Sequence, residues 1–289
     1  MIKDKATTSI EENWDLVIQP KTGWFKLHLA DLWRYRDLVM LFVKRDLAVT
    51  YKQTVLGPFW FIVQPLFTTI IFTVIFGRVA KIPTDGIPPF LFYMAGNVAW
   101  GYFALCLSGT SNTFVSNASI FGKVYFPRLS IPVSIVISNL AKLFLKFLMF
   151  FGFLVYFYLK GTKISLNLDL LFLPLLIFQM AILGLGMGIL ISSMVTKYRD
   201  LTKLMGFGTQ LWMYATPVVY PVSQVPEKYH TLYLLNPMAV IIENFKYIFF
   251  QKGTIVPEMI AVSWITTFVI FFIGLLMFNK VEKSFMDTV

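Results

Sequence analysis

Five stretches of this chain run for more than twenty residues without an Asp, Glu, Lys or Arg: 53–77, 86–122, 170–196, 204–226 and 259–279. A helix needs about 20 predominantly apolar residues to cross ~30 Å of hydrocarbon, and every one of these runs is long enough. A sixth region, 129–159, is interrupted only by Lys142 and Lys146. Across the 289 residues, 57% are hydrophobic and 14% charged, where an ordinary soluble domain carries about 25% charged residues. These values exclude a water-soluble globular enzyme and a disordered chain. They predict an all-α integral membrane protein.

The run 86–122 is too long for one helix and turns polar over 108–119, so its span is placed near 90–110. Six transmembrane helices are expected, near 58–79, 90–110, 132–158, 170–194, 205–222 and 259–279. They form a domain over 56–289 behind a cytoplasmic N-terminal segment, 1–55. The first strongly apolar run starts near residue 56, behind many charges, so no cleavable signal peptide is expected. With the N-terminus inside, sixteen Lys and Arg fall on the cytoplasmic side and seven outside; Lys142 and Lys146 lie within a span. The positive-inside rule then places both termini in the cytoplasm. The net charge of +10 reads as topology and attraction to anionic lipid rather than nucleic-acid binding.

Between the spans lie four informative segments. Residues 24–51 alternate Trp24, Phe25, Leu29, Leu32, Trp33, Leu38, Phe42 and Val49 with Lys26, Asp31, Arg34, Arg36, Lys44 and Arg45 at helical intervals. Such a helix either lies in the headgroup plane or packs on a partner. The loop 117–132, with Lys123 and Arg128, is expected to be cytoplasmic with one or two helical turns. It and the loop 196–203, with Lys197, Arg199, Asp200 and Lys203, act either as positive-inside anchors or as contact surfaces. Further along, Asn236-Pro237 reads as a helix start, with Asn as cap and Pro at the first position. The apolar stretch 238–250 that follows is too short to cross, so it is expected to be a re-entrant or interfacial helix before the last span. Within it Glu243 and Lys246, three apart, are placed to pair.

Several chemistries find no residues here. The chain has no G-x-x-x-x-G-K-[ST] loop, so a P-loop ATPase site is not expected. Two histidines, His28 and His230, and one cysteine, Cys106, exclude a His- or Cys-based metal cluster and an internal disulfide. No carboxylate sits centrally in any span, which disfavours a proton-driven antiporter. No paired acid or catalytic His suggests a transferase. What is left is a conduit without its own motor.

Two features inside the spans bear on a cargo. Lys142 and Lys146, at i and i+4, share one helix face. They either snorkel or pack against neighbouring helices, or they form a cationic track for a phosphate-bearing lipid. Aromatic residues including Phe59, Trp60, Phe61, Trp100, Tyr102, Phe103, Trp212, Tyr214 and Tyr220 cluster in the first, second and fifth spans. They read either as an interfacial belt or as a channel lining on which sugars stack. Gly184, Gly186 and Gly188 permit close helix approach, a packing role.

An ordered set of motifs then resembles one known family. It comprises Trp33-Arg34-Tyr35-Arg36-Asp37-Leu38, Val43-Lys44-Arg45-Asp46-Leu47, Tyr51-Lys52, Leu56-Gly57-Pro58-Phe59-Trp60 and Gln64-Pro65-Leu66. Beyond these come Lys123-Val124-Tyr125-Phe126-Pro127-Arg128, Tyr198-Arg199-Asp200-Leu201 and Leu235-Asn236-Pro237-Met238-Ala239. The set is similar to the membrane subunit of type-2 ABC transporters that export cell-surface polysaccharides (O-antigen, capsule, teichoic acid). One departure is Phe245-Lys246, where family members often carry Phe-Arg.

The resemblance implies a homodimer in a bacterial inner membrane, docked on two copies of a separate cytoplasmic ATPase that binds the ATP and Mg. No cofactor is expected on this chain. The cargo it implies is a glycan on a polyprenyl diphosphate lipid, O-antigen first, with a small-molecule exporter and a membrane enzyme on lipid-linked sugars as alternatives. Coupling to the ATPase would fall to Lys123, Tyr125, Phe126, Arg128, Tyr198, Arg199 and Asp200, and the outer gate to Asn236, Pro237, Glu243 and Lys246. Lys44, Arg45 and Lys52 at the cytoplasmic mouth, with Lys142 and Lys146, would attract the lipid diphosphate.

Overall fold

A computed structural model describes residues 29–52, 57–124, 126–162, 167–253 and 256–284. Among the described residues every regular element is helical, the economical answer to a solvent that cannot satisfy backbone N–H and C=O groups. The described part opens with α1 (Leu29–Arg34) and α2 (Arg36–Lys52), separated at Tyr35. Of the expected amphipathic helix, residues 24–28 lie outside the described part. Among the described residues, five helices are long and apolar enough to cross a membrane: α3 (Gly57–Val79), α4 (Pro89–Ser111), α7 (Ser130–Leu159), α8 (Leu168–Val195) and α12, whose apolar part is Pro257–Glu282 within Pro257–Ser284. Two single turns follow α4: α5 (Thr113–Ser116), ahead of the loop 117–132, and α6 (Ala118–Phe121), which matches a helical turn expected in that loop.

α4 is the hub. Most of its side chains are buried, Tyr93, Tyr102 and Phe103 fully, and it packs on α3, α7, α8 and the later helix α11 (Pro237–Phe250). Apolar side chains gain little by leaving lipid for another helix, so close backbone approach carries the association. α8 supplies that approach on two faces. A Cβ at Gly184 would stand 2.7 Å from Cys106 Cβ, and one at Gly188 would overlap the Thr110 hydroxyl, both on α4. On the opposite face a Cβ at Gly186 would stand 2.6 Å from the Phe271 Cα of α12, and Gly274 abuts the Gly186 carbonyl.

Polar side chains add directional ties. Asn97 of α4 donates through Nδ2 to the Pro65 carbonyl of α3 at 3.2 Å. Gln179 of α8 donates through Nε2 to Ser263 Oγ of α12 at 2.8 Å, and Ser263 Oγ donates to the Pro237 carbonyl of α11 at 3.2 Å. Gln179 and Ser263 are each 1% exposed, so this relay lies inside the protein rather than against lipid.

The fifth expected span takes a different form. Helix α9 (Leu201–Tyr214) is 14 residues, about 21 Å long, and ends eight residues before the expected limit at 222. Pro217 and Pro221 remove backbone donors and oppose helix continuation there. The non-helical stretch that replaces it is protein-covered: Thr216, Pro217, Val218 and Val219 are buried, and a Cβ at Gly96 would stand 3.0 Å from the Val218 carbonyl. Irregular backbone is tolerated at membrane depth when neighbouring protein encloses it. Then come α10 (Glu227–Leu234) and the short α11, which precede the last long helix as expected.

Gly186→Ala should destabilise the bundle by about 1–3 kcal/mol because the Phe271 backbone cannot retreat without moving α12. Gly152→Ala, whose Cβ would meet nothing within 4 Å, should be neutral or slightly stabilising. Thermal unfolding of the two variants in the same detergent checks the contrast; equal midpoints would deny the glycine contact its role.

Candidate functional site

At one end of the bundle, aromatic packing joins parts of the chain that are far apart in sequence. Phe42 of α2 meets Phe126 at 5.6 Å between ring centroids, and Phe126 meets Phe121 at 5.7 Å. Phe114, just after α4, stacks on Phe278 of α12 at 4.5 Å. Ile131 at the start of α7 and Ile189 late in α8 complete the same buried cluster. Arg128 lies over the Phe121 ring at 5.4 Å and donates to the Glu282 carbonyl, clamping the loop to the end of α12. Burial lowers the proton affinity of Arg128, and Glu282 opposes that shift.

The residues expected to contact a partner divide accordingly. Phe126 is buried and Arg128 half-buried, so both anchor the loop, whereas Lys123 is exposed; Tyr125 lies outside the described residues. Tyr198, Arg199 and Asp200 are exposed in the connection from α8 to α9, at the same end of the bundle as the cluster. The loop that carries Lys123 and Arg128 is therefore anchored on an aromatic cluster that also holds α2.

The expected cations are likewise separated by their surroundings. Lys44 and Lys52 are exposed on α2. Arg45 pairs with Asp46 at 2.9 Å, and both line a cavity of about 520 Å3 together with Lys142. Lys142 donates to Asn139 Oδ1 at 2.9 Å, and its ammonium lies 5.4 Å from the Phe61 ring. Lys146 is buried beside Gly101, where a Cβ would stand 2.6 Å from its Nζ. A single helix face thus carries one cavity-lining and one enclosed lysine.

Of the expected channel aromatics, Phe59 and Trp60 are 60% and 49% exposed, and Tyr214 is also exposed. Trp100 and Tyr102 are buried within the protomer, 4% and 0% exposed. Trp212 packs edge-on against Trp100 at 5.9 Å and Phe103 at 5.1 Å. Its Nε1 donates to Asn236 Oδ1 at 3.2 Å.

Asn236 is the junction at the other end of the bundle. Its Oδ1 also accepts from Met238 N at 3.1 Å, capping α11 as expected, while Nδ2 donates to the Ala215 carbonyl at 3.3 Å. The predicted Glu243–Lys246 pairing does not form. Lys246 instead donates to the Pro217 carbonyl, an acceptor freed by the non-helical stretch, with its ammonium 3.3 Å from the Phe92 ring centroid. Burial raises the Glu243 pKa and lowers that of Lys246; each partially counters the other's shift. Glu243 Oε2 and the Tyr233 hydroxyl are buried without hydrogen-bond partners. The Gln179–Ser263–Pro237 relay behind Asn236 went unread in the sequence. Isolated Gln and Ser residues inside apolar runs give no sign of which neighbours they face.

Among the described residues, this is a helical multi-pass membrane protein with an exposed basic surface at one end and a capped, partly buried short helix near the other. The chain belongs to the ABC-2 type transporter family, matched over residues 37–250. It is 31% identical over 253 residues to an O-antigen export system permease protein RfbA of Klebsiella pneumoniae, covering 87% of this chain and 94% of that relative. A second Klebsiella pneumoniae protein of that name is 30% identical over 252 residues, with the same coverage of each chain. A Myxococcus xanthus protein of the same name is 26% identical over 226 residues, covering 77% of this chain and 84% of the relative.

Asn236→Ala removes the cap of α11 and both ties to α9, and is expected to cost about 1–2 kcal/mol. Asn236→Asp keeps the acceptor but loses the donor to Ala215, so a smaller loss is expected. Thermal unfolding, with proteolysis across 215–236, checks the order.

Proposed function

We propose that this chain is the membrane subunit of an ATP-driven exporter of O-antigen, carried as a glycan on a polyprenyl diphosphate lipid. The observation that carries this reading is alignment with O-antigen export permeases over 94% of their length, spanning α2, both basic loops and Asn236. In this reading the protein is a homodimer in a bacterial inner membrane. Two copies of a separate ATPase bind ATP and Mg at its cytoplasmic face.

Six crossings with both termini inside is the topology that fits best. α2 and the end of α12 meet in one aromatic cluster, which supports a reading with both ends of the membrane domain on one side and an even number of crossings. The five long helices supply five, and α9 continued by the buried 216–219 stretch supplies the sixth.

Closure of the ATPases pushes on Lys123, Tyr198, Arg199 and Asp200, and the Phe42–Phe126 packing passes the displacement to α2. Lys44, Arg45 and Lys52 draw the lipid diphosphate to the cytoplasmic mouth. Sugars then slide over exposed rings such as Phe59, Trp60 and Tyr214, held weakly enough to move on. Asn236, Pro237 and the Glu243–Lys246 segment close the outer side.

In a strain lacking this gene, the wild-type chain should restore surface O-antigen. Arg199→Glu is expected to leave lipid-linked polymer inside the cell while the complex still assembles. Lys44, Arg45 and Lys52 replaced together by Gln should weaken binding of the lipid-linked glycan to the purified complex. Normal surface glycan in the deletion strain would overturn the function, and normal export by Arg199→Glu would remove that loop from coupling.

A further inference from the structure

A cavity of about 520 Å3 lies between α2, α4 and α7, within the range of about 300–1,000 Å3 typical of small-molecule sites. Its polar lining is Arg45 and Asp46 from α2, Ser108 from α4, and Ser138, Asn139 and Lys142 from α7; apolar side chains of the same helices complete the wall. Two cations stand against one carboxylate. Arg45 pairs with Asp46 at 2.9 Å and Asp46 also attracts Lys142, which leaves one net positive charge on the lining. Lys142 is held there by the Asn139 amide, which orients the ammonium without neutralising it.

Depth narrows the occupant. α7 has 30 residues and is about 45 Å long, so centred on the bilayer it overhangs the ~30 Å hydrocarbon by about 7 Å at each end. Lys142, about 18 Å along it, then lies about 10 Å below the hydrocarbon boundary on the side of α2. A soluble anion meets a dielectric barrier at that depth. A lipid phosphate starts in the headgroup layer and needs to sink only a short way, with its tail remaining in hydrocarbon. Apolar wall, the Ser108 hydroxyl and a cation together suit such an amphiphile.

We propose that this cavity holds the phosphate headgroup of a membrane lipid, bound by Lys142 and Arg45 and bridging α2 to α4 and α7. The lipid is then part of the mounting of α2, the helix whose Phe42 meets the basic loop. An anionic phospholipid and a polyprenyl diphosphate share the chemistry. The site requires a bilayer and not a particular cargo, so it stands or falls separately from O-antigen export.

The test uses the full chain in phosphatidylcholine nanodiscs, titrated with phosphatidylglycerol or with undecaprenyl diphosphate, bound lipid being counted by native mass spectrometry. Wild type should hold one phosphatidylglycerol or undecaprenyl diphosphate per protomer, beyond any phosphatidylcholine. Lys142→Gln should weaken it about tenfold through loss of a charge-assisted bond. Ser108→Phe should do the same by filling the cavity with its charges intact, which guards against a folding defect in the lysine variant. Lys160→Gln, an exposed cation at the other end of α7, should change nothing. Losses confined to phosphatidylglycerol identify a resident phospholipid, and losses confined to undecaprenyl diphosphate identify the polyprenyl source. Binding of both lipids unchanged in Lys142→Gln and Ser108→Phe overturns the site.

Discussion

Helices immersed in hydrocarbon gain almost nothing by exchanging lipid for protein around an apolar side chain, so the distance between their backbones decides whether they associate. In this protein that distance is set by α8. Gly184 and Gly188 admit α4 on one side, and Gly186 admits α12 on the other, against Gly274. The remainder of the membrane domain is arranged around this three-helix slab. α3 and α7 pack on the outer faces of α4, and α11 rests across α4, α8 and α12.

Polar groups then convert a packed slab into a machine with defined ends. At the α11 end, Asn236 binds α9 to α11 through three hydrogen bonds, and the Gln179–Ser263 relay holds the first residue of α11 from behind. At the α2 end the joint is aromatic: Phe42, Phe121 and Phe126 make a surface on which the basic loop sits, with Arg128 fastened to the last helix. The exposed Lys123 is thus carried on a loop packed against this joint. The phosphate-lipid cavity at Lys142 lies next to this joint and shares α2 with it.

Much of this organisation was legible from residue order. Charge-free runs located four of the five long helices, the two-lysine region 129–159 located the fifth, α7, and the Asn-Pro pair placed the start of α11. The glycines of α8 announced close packing. The cationic residues were harder to read because a lysine looks the same in sequence whether enclosed or facing a cavity. Lys142 and Lys146 sit one turn apart on α7, yet the former lines the cavity and the latter is buried. Trp100 and Trp212 likewise read as alike, and the first is buried while the second is tied to Asn236.

Length and polarity along one chain suffice to specify that helices cross a membrane, because each crossing is a local bargain between its own backbone and the hydrocarbon. Partner choice is not local. Pro217 ended α9, but only packing against Gly96 allowed the irregular 216–219 backbone to stay buried, and only that backbone exposed the carbonyl that takes Lys246 from Glu243. Which carboxylate, carbonyl or ring each buried polar group faces depends on helices brought together from opposite ends of the chain, and so was settled in three dimensions.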